Sequence, residues 1–256
     1  MKYSHLFLIL LLFAACAEEE QLNQRMVAFD EALLPVWYFA SQEQLEQAQQ
    51  AIPVLEDQWH DLQADYLDIP GPRIAWEDTY ECVSELMTAA IHAIDYQELG
   101  DAKEYLEAVN FELMNLRAAY NIKYAFDKVW EFKLNLDLVE HLVEDYYYLV
   151  EPAEFDCLLV ELNYRWQIVE HGALAKANDW DKIKTKRSKA LKANIHNELH
   201  LLTKSVVDRS LEEDELDYEF GAVENVLNQL ICLFGNFDEF ELKEHQSSFL
   251  VTREIE

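Results

Sequence analysis

Residues 122–150 read IKYAFDKVWEFKLNLDLVEHLVEDYYYLV, the stretch that indicates the fold most directly. Apolar side chains recur along it in steps of three and four residues, which is the spacing of a helix face. They do not stay on one stripe, since Tyr146, Tyr147 and Tyr148 alone spread over about 200° at 100° per residue. A helix that is apolar on most sides is packed on more than one side. We therefore predict that 122–150 is the central and most buried helix of an all-α protein; the alternative for the tyrosines is an exposed aromatic docking patch.

The chain on either side of this helix carries shorter stretches with the same periodicity. Helical spacing begins at Met26 and continues, with interruptions, to residue 236. The clearest interruption is DIPGP at 68–72, and the chain contains only five Gly and five Pro, so most loops must be short. Ser41 is predicted to cap the second helix, and Gly100-Asp101 to end the third helix and cap the fourth. The expected fold of 26–236 is an antiparallel helical bundle of about eight helices.

A weak internal similarity indicates how the helices are grouped. AVNFELMNL at 108–116 resembles AVENVLNQL at 222–230. Two tandem four-helix units, with halves 26–120 and 121–236, would produce such a repeat. A row of helical hairpins, loosely similar to tetratricopeptide arrays, would produce it too, but the tetratricopeptide signature is absent and the turns are unevenly spaced, which favours the bundle. Residues 237–256 are predicted to form a C-terminal tail.

The first twenty residues, MKYSHLFLILLLFAACAEEE, have the form of an export signal. A lone basic residue, Lys2, precedes ten apolar residues and then Cys16. A run of ten is too short to span a bilayer, which needs about 20 residues, and the order basic, apolar, small is that of a signal peptide covering residues 1–15. The closing FAAC at 13–16 resembles the lipobox of bacterial lipoproteins, although Leu is commoner than Phe at its first position. The alternative is a buried N-terminal helix with an ordinary core cysteine.

The lipobox resemblance implies that Cys16 is acylated and that residues 16–25 tether the protein to a membrane. One acyl chain holds a protein only marginally, since each buried CH₂ contributes about 0.8 kcal/mol, whereas the several chains of this family anchor permanently. The implied location is the bacterial cell envelope, at the outer membrane or the cell surface. Glu18, Glu19 and Glu20 resemble the acidic signal that directs some lipoproteins to the cell surface; the alternative is a simple soluble tether.

The charge of the chain limits its partners. The formal net charge is −30, which repels nucleic acid and anionic lipid head groups, so we expect no nucleic-acid partner. The one basic run lies in 182–192, where Lys184, Lys186 and Lys189 begin a helix. These lysines are candidate contacts for an acidic envelope protein or for the acidic loop 212–215 of the same chain. The alternative is an ordinary solvated helix face.

Motifs of known chemistry are absent from the sequence. It contains no CxxCH, ExxH, HExxH, GxGxxG, GxxxxGK[ST] or GxSxG, so no cofactor is predicted and an enzyme is disfavoured. The best positive signal is His196 and His200, which stand one turn apart and could share a metal ion with Glu170 or His171. Histidines at the edge of a helix core, without any metal, are the alternative. The sequence thus favours a non-enzymatic binding or organising module, with a metal- or small-ligand-binding bundle as the second interpretation.

Three further cysteines lie in apolar helical stretches: Cys82, Cys157 and Cys232. An exported protein can use cysteines as disulfides, but three is an odd number and no CxxC occurs. We therefore predict buried free thiols.

Overall fold

The computed structural model describes residues 24–67, 74–146, 152–174, 180–208, 213–238 and 240. Within these ranges the prediction of an all-α helical bundle is confirmed, because the described chain forms eight helices and no strand. The predicted signal sequence, Cys16, most of the tether and the residues from 241 onward lie outside these ranges. The helices are α1 (24–41), α2 (Leu45–Leu67), α3 (Ile74–Asp95), α4 (Leu99–Ala119), α5 (Ala125–Tyr146), α6 (Pro152–His171), α7 (Lys182–Asp208) and α8 (Glu213–Cys232).

The chain divides into two compact units, and the division falls between Lys123 and Tyr124. The first unit contains α1 to α4 and also the segment that follows Leu233, whereas the second contains α5 to α8. That the two units are tandem repeats of one another stays a prediction.

Aromatic side chains join successive helices of the first unit. The Trp59 ring on α2 contacts Phe29 on α1, at 5.5 Å between centroids, and Tyr80 on α3, at 5.1 Å. Trp76 on α3 contacts the Tyr120 ring just after α4, at 5.2 Å. Aromatic pairs of this kind contribute about 0.5–1.5 kcal/mol each beyond the area they bury. The first unit therefore has a core that is continuous from α1 through α4.

Three helices of this part of the chain end without glycine. Glu43, Gln97 and Asn121 follow α1, α3 and α4 with φ of 54°, 65° and 56°. After each one, the next backbone N–H donates to the carbonyl five residues earlier, as in Gln44 N to Phe39 O at 2.8 Å. This hydrogen bond and the left-handed residue together define a Schellman motif. The helix ends are therefore set by backbone hydrogen bonding rather than by the polar caps that the sequence indicated.

Two of the predicted cap positions are accordingly wrong. Ser41 lies in the last turn of α1, where its Oγ donates to Tyr38 O at 2.8 Å instead of capping α2. Gly100 lies in the first turn of α4, since α3 already ends at Asp95. The physical reason is that a Schellman motif needs only one residue with positive φ, which Glu and Gln supply here at a cost of about 1 kcal/mol.

α1 is the most continuously buried helix of the described chain, which corrects the expectation made for the predicted central helix. Every residue from 32 to 40 is buried, whereas Leu138 on α5 has a relative exposure of 52%. The reason is that α1 has neighbours on three sides within the first unit. It contacts α2 through Phe29, α4 through Trp37 and the segment after α8 through Phe39. The sequence signal was ALLPVWYFA at 32–40, which carries no charge.

The segment after α8 is held on α1 by a carbonyl that a proline frees. Pro35 lies inside α1 and has no N–H, so the carbonyl oxygen of Glu31, four residues earlier, lacks its helical partner. Asn236 N–H donates to this oxygen at 2.9 Å. Pro35 thus provides the acceptor for a returning segment of the chain.

Aromatic rings extend this attachment. The Phe237 ring meets Tyr38 and Phe39 edge-on, at 5.6 and 5.8 Å between centroids, and Phe240 meets Phe39 at 5.4 Å. Gly235 allows the close approach, because a Cβ there would lie 2.6 Å from Phe237 Cε2. The residues predicted to begin a tail at 237 therefore include two that pack on α1.

The second unit is a ring of four helices, in which α5 packs on α6, α6 on α7, α7 on α8 and α8 on α5. Arg165 on α6 donates to Glu131 on α5 at 3.1 Å, and next to this pair the rings of Phe132 and Trp166 lie 5.1 Å apart. The contacts of α6 with α7 run in antiparallel register, as in up-and-down bundles. This ring places the outer faces of α6 and α7 side by side.

Candidate cationic face on the second unit

The start of α7 combines a strong cap with unfavourable charges. Asp181 Oδ1 accepts the backbone N–H of Lys184 at 2.7 Å and caps the helix. Cations at a helix N-terminus oppose the helix dipole by about 0.3–1 kcal/mol each at exposed positions. The helix nevertheless carries six basic residues within 182–192. These basic residues do not stabilise the start of the helix, which indicates that they serve contacts with other groups.

One side of α7 is exposed and lacks acidic residues. Six exposed side chains recur on it in steps of three, four or seven residues, which keeps them on a single face. The opposite side holds the buried residues of the bundle core, including Leu191, Ile195 and Leu199. We call the exposed set the cationic face of α7; it consists of Lys182, Lys186, Lys189, His196, His200 and Lys204.

The charge of this helix contrasts with that of the chain. α7 holds seven Lys and Arg residues against two Asp and Glu residues, a net charge of +5 with its histidines neutral. The whole chain has a net charge of −30 and only 20 basic residues. Since oppositely charged groups attract over roughly 8 Å at physiological salt, the cationic face presents a local field of opposite sign to that of the molecule.

The structure brings the two predicted sites together. Lys186 and Lys189, predicted as a docking strip, share the cationic face with His196 and His200, predicted as metal ligands. Lys184, the third predicted lysine, lies on the half-buried side of α7 and is not part of this face. Its position follows from helix geometry, since it stands two residues from Lys186 and therefore points about 200° away.

The predicted metal ligands form one close contact. His196 Nδ1 lies 3.4 Å from Glu170 Oε1 on α6, and the His196 side chain is 57% exposed. His171 Nδ1 instead lies 2.8 Å from the main-chain oxygen of Gln167 on its own helix. In the part of the chain that the structure describes, no group of three or more His, Cys, Asp or Glu side chains is arranged to hold a metal ion. In the described conformation, Glu170 and His196 therefore offer a metal ion two ligands.

Lys192 serves the fold of the second unit. Its Nζ donates to the carbonyl oxygens of Glu170 and Gly172 at 2.9 Å each, so it caps the C-terminal end of α6 from α7. Partial burial lowers the pKa of Lys192 below its ordinary value, while the nearby Glu170 carboxylate acts in the opposite direction. This lysine is therefore a structural link between the two helices rather than a member of the cationic face.

An exposed apolar patch lies on the neighbouring helix, and the sequence-based prediction missed it. Val160 and Tyr164 on α6 have relative exposures of 68% and 57%, and Val207 on α7 has 41%. Val160 and Tyr164 stand one turn apart, on the side of α6 away from its buried residues. The signal in the sequence is the four-residue spacing of Val160 and Tyr164, which lies outside the buried stripe of α6. A search for a single apolar stripe on each helix does not find it.

The contacts between α6 and α7 fix how the apolar and cationic residues are arranged. Asn163 Nδ2 lies 3.2 Å from Thr203 Oγ1, and Glu170 contacts His196 in the same antiparallel register. Each step toward the C-terminus of α6 is therefore level with one step toward the N-terminus of α7. In this register Val160 is level with the end of α7 that carries Val207, and Lys204 is level with the patch, whereas Lys182, Lys186 and Lys189 lie toward the opposite end.

The three described cysteines are free thiols in different surroundings. Cys232 is buried, and burial raises the pKa of its thiol. Cys82 is half-buried, whereas Cys157 is exposed. The prediction of a buried thiol is therefore wrong for Cys157, which lies between Phe155 and Leu159 in sequence but on the opposite side of α6.

A small cleft of about 140 Å³ lies in the first unit, beside Pro35 on α1. Its polar lining comes from Glu31, Gln58 and Asn236, and Phe240 covers one side. Sites for small organic ligands usually measure about 300–1,000 Å³. This cleft is therefore too small for such a ligand without rearrangement.

None of the described helices is both long enough and apolar enough to cross a bilayer. No protein-family model, curated protein or solved structure matches the chain. The lipobox cysteine, Cys16, lies outside the described residues, and the lipoprotein interpretation stays a prediction.

Proposed function

We propose that this protein is a lipid-anchored, non-enzymatic binding module of the bacterial cell envelope, which docks an acidic partner protein on the cationic face of α7. One observation carries the binding part of the proposal. Six exposed Lys and His side chains are segregated on one helix face in a chain of net charge −30. Because the rest of the molecule repels acidic partners, such a face selects both the partner and its orientation.

The anchoring part of the proposal rests on the lipobox-like sequence at 13–16. Acylation of Cys16 would hold the helical domain at the membrane while the tether leaves it accessible to partners. Changing Cys16 to Ser should leave an unprocessed precursor and abolish partitioning into the detergent phase. A Cys16→Ser protein that is processed and still partitions with detergent would refute the lipoprotein interpretation.

Charge reversal on α7 tests the binding part. Lys186→Glu with Lys189→Glu should abolish recovery of acidic partners from envelope extract at low salt. The control is Lys123→Glu with Lys128→Glu, which changes the net charge by the same amount off this face; since Lys128 donates to Glu131 at 2.9 Å, the unfolding midpoint of this variant is measured beside that of the wild type. The wild-type interaction should weaken at high salt because ions screen the attraction. Recovery of the same partners by both double variants at both salt concentrations would show that the face is only a solvated helix surface.

A second candidate is metal binding, favoured by the contact between Glu170 and His196 with His200 one turn further along α7. These three side chains offer a carboxylate and two imidazoles, a ligand set that suits Zn²⁺ if a small side-chain rotation brings them together. Calorimetric titration of the full chain with Zn²⁺ tests it, with His196→Ala as the variant that should lose binding. Equal heats for wild type and variant would remove this candidate.

A further inference from the structure

We infer that the cationic face of α7 and the adjoining apolar patch of Val160, Tyr164 and Val207 together bind an acidic, amphipathic helix of a partner protein. This inference rests on the proposed function, because it specifies the partner for the same face. It goes further by giving the partner an apolar stripe and a defined orientation.

The apolar patch provides the anchoring end of this surface. Val160 and Tyr164 project from one side of α6, and the register places Val207 of α7 at the same level. Exposed apolar residues that cluster, rather than occurring singly, are typical of interaction sites. Tyr is also among the residues that contribute most to interface binding energy. A partner side chain such as Leu or Phe would remove these three residues from water.

The lysines provide the orienting end. Lys189 lies 18 residues before Val207 on α7, so the two ends are separated by about 27 Å at 1.5 Å per residue. A partner helix of about 18 residues would span this distance. Its acidic residues would face Lys186 and Lys189 while its apolar residues cover Val160 and Tyr164. The unequal distribution of charge and apolar surface would select one of the two possible directions of the partner helix.

The geometry favours a helix over a membrane surface as the occupant. Where α6 and α7 run side by side they leave a groove, into which a third helix packs by its i, i+3, i+4 and i+7 residues. This groove ends at the level of His171, which faces residue 195 of α7, and Lys186 and Lys189 extend the surface beyond it on α7 alone. A bilayer surface would require the apolar residues to lie at one depth below a row of cations. Here Lys182, Lys186 and Lys189 are displaced from the apolar residues along the helix axes, and among the lysines of the face Lys204 alone lies level with them. The other acidic occupants, a purely polar peptide or an anionic membrane, therefore become outcomes of the test.

The experiment measures binding of defined probes to the purified full chain, with peptides titrated in detergent and vesicles added after the detergent has been removed. The main probe is a fluorescent helical peptide of about 18 residues, with Leu at helical spacing and Glu beside it. A second peptide replaces each Leu with Gln and keeps the acids, and a third probe consists of phosphatidylglycerol vesicles. The protein variants are Val160→Ser with Tyr164→Ser, and Lys186→Glu with Lys189→Glu. The control is Val54→Ser with Tyr218→Ser, at exposed positions elsewhere.

The amphipathic peptide should bind the wild type and the control variant equally. The Val160/Tyr164 variant should weaken this binding about tenfold, a loss that persists at high salt because it is apolar. The Lys186/Lys189 variant should abolish low-salt binding, a loss that shrinks as salt screens the attraction.

Equal affinity of the two peptides for the wild type, or no effect of the Val160/Tyr164 variant, would overturn the amphipathic inference and leave the cationic docking face standing. Binding of neither peptide, together with vesicle binding that the Lys186/Lys189 variant loses, would overturn it in favour of a lipid-contacting surface, because binding through the acyl chains of Cys16 would be equal in the two proteins. Failure of every acidic probe would overturn the inference and the proposed function together.

Discussion

Gly235 is expected to tolerate no side chain, and Gly235→Ala tests how the segment after α8 is held on α1. A Cβ at this position would lie 2.6 Å from Phe237 Cε2 and 3.1 Å from Leu34 Cβ. The Leu34 atom is next to the backbone of a buried helix and cannot move away. The Phe237 ring edge can move only by leaving its contacts with Tyr38 and Phe39.

The expected loss of stability follows from these contacts. Overpacking a well-packed site usually costs about 1–3 kcal/mol. If the ring is expelled, the loss approaches the roughly 3–5 kcal/mol typical of removing a buried Phe, and the hydrogen bond from Asn236 to Glu31 O would add about 1 kcal/mol. We therefore expect Gly235→Ala to lower the free energy of unfolding of the first unit by about 1–3 kcal/mol, with larger values indicating release of the segment.

Hydrogen exchange followed by mass spectrometry measures this effect unit by unit. Gly235→Ala should accelerate exchange in α1, which lies under the segment, more than in α8. The matched control is Gly221→Ala inside α8, where a Cβ would meet nothing within 4 Å. Ala in a helix interior is favoured over Gly by about 0.5–1 kcal/mol, so this control should slow exchange in α8. The same direction of change in both variants would refute the reasoning.

Three other outcomes can be measured on the same protein. Gln97→Gly should raise the free energy of unfolding in urea by about 0.5–1 kcal/mol, because Gln97 has a φ of 65°, and Asn121→Gly should raise it less because Asn tolerates this conformation better. A thiol-reactive dye should label Cys157 in the native protein well before Cys232, whose burial raises its pKa; equal native rates would contradict the described positions. Burial lowers the pKa of Lys192 in the folded protein below the value of 10.5 that it has in the unfolded chain. Between the folded and the unfolded pKa, the unfolded chain therefore binds more protons than the folded protein. Wild type should accordingly gain stability over Lys192→Met as the pH rises toward 10.5, and a flat or falling difference would contradict this sign.

Local periodicity explains why most of the fold could be predicted from the sequence. The side chains of α7 repeat every 3.6 residues, so the spacing of Leu191, Ile195 and Leu199 is enough to identify its buried side. The prediction that 122–150 is the most buried helix was wrong because it relied on apolar spacing within one segment, whereas the burial of α1 comes from neighbours on three sides. The predicted Ser41 cap failed for another reason, since a Schellman motif depends on one backbone angle that Glu43 adopts without a sequence signature.

The candidate site was predictable only in its parts. Lys186 and His196 could each be singled out as a basic residue or a possible ligand, but they were predicted as members of separate sites. The sequence also gave no reason to place the apolar patch, with Val160 and Tyr164, beside the cationic face. These residues lie on a different helix, and only the contacts between α6 and α7 show which turns are level with one another.

The sequence by itself determined that this chain is helical, acidic and equipped with a lipobox-like start, because composition and spacing along one helix are local properties. Only the tertiary structure decided that Asn236 returns to the carbonyl freed by Pro35 and that Lys189 and Tyr164 belong to neighbouring outer faces. Such relations join residues far apart in sequence. They depend on the register of one helix against another, which side-chain packing sets and no single segment encodes.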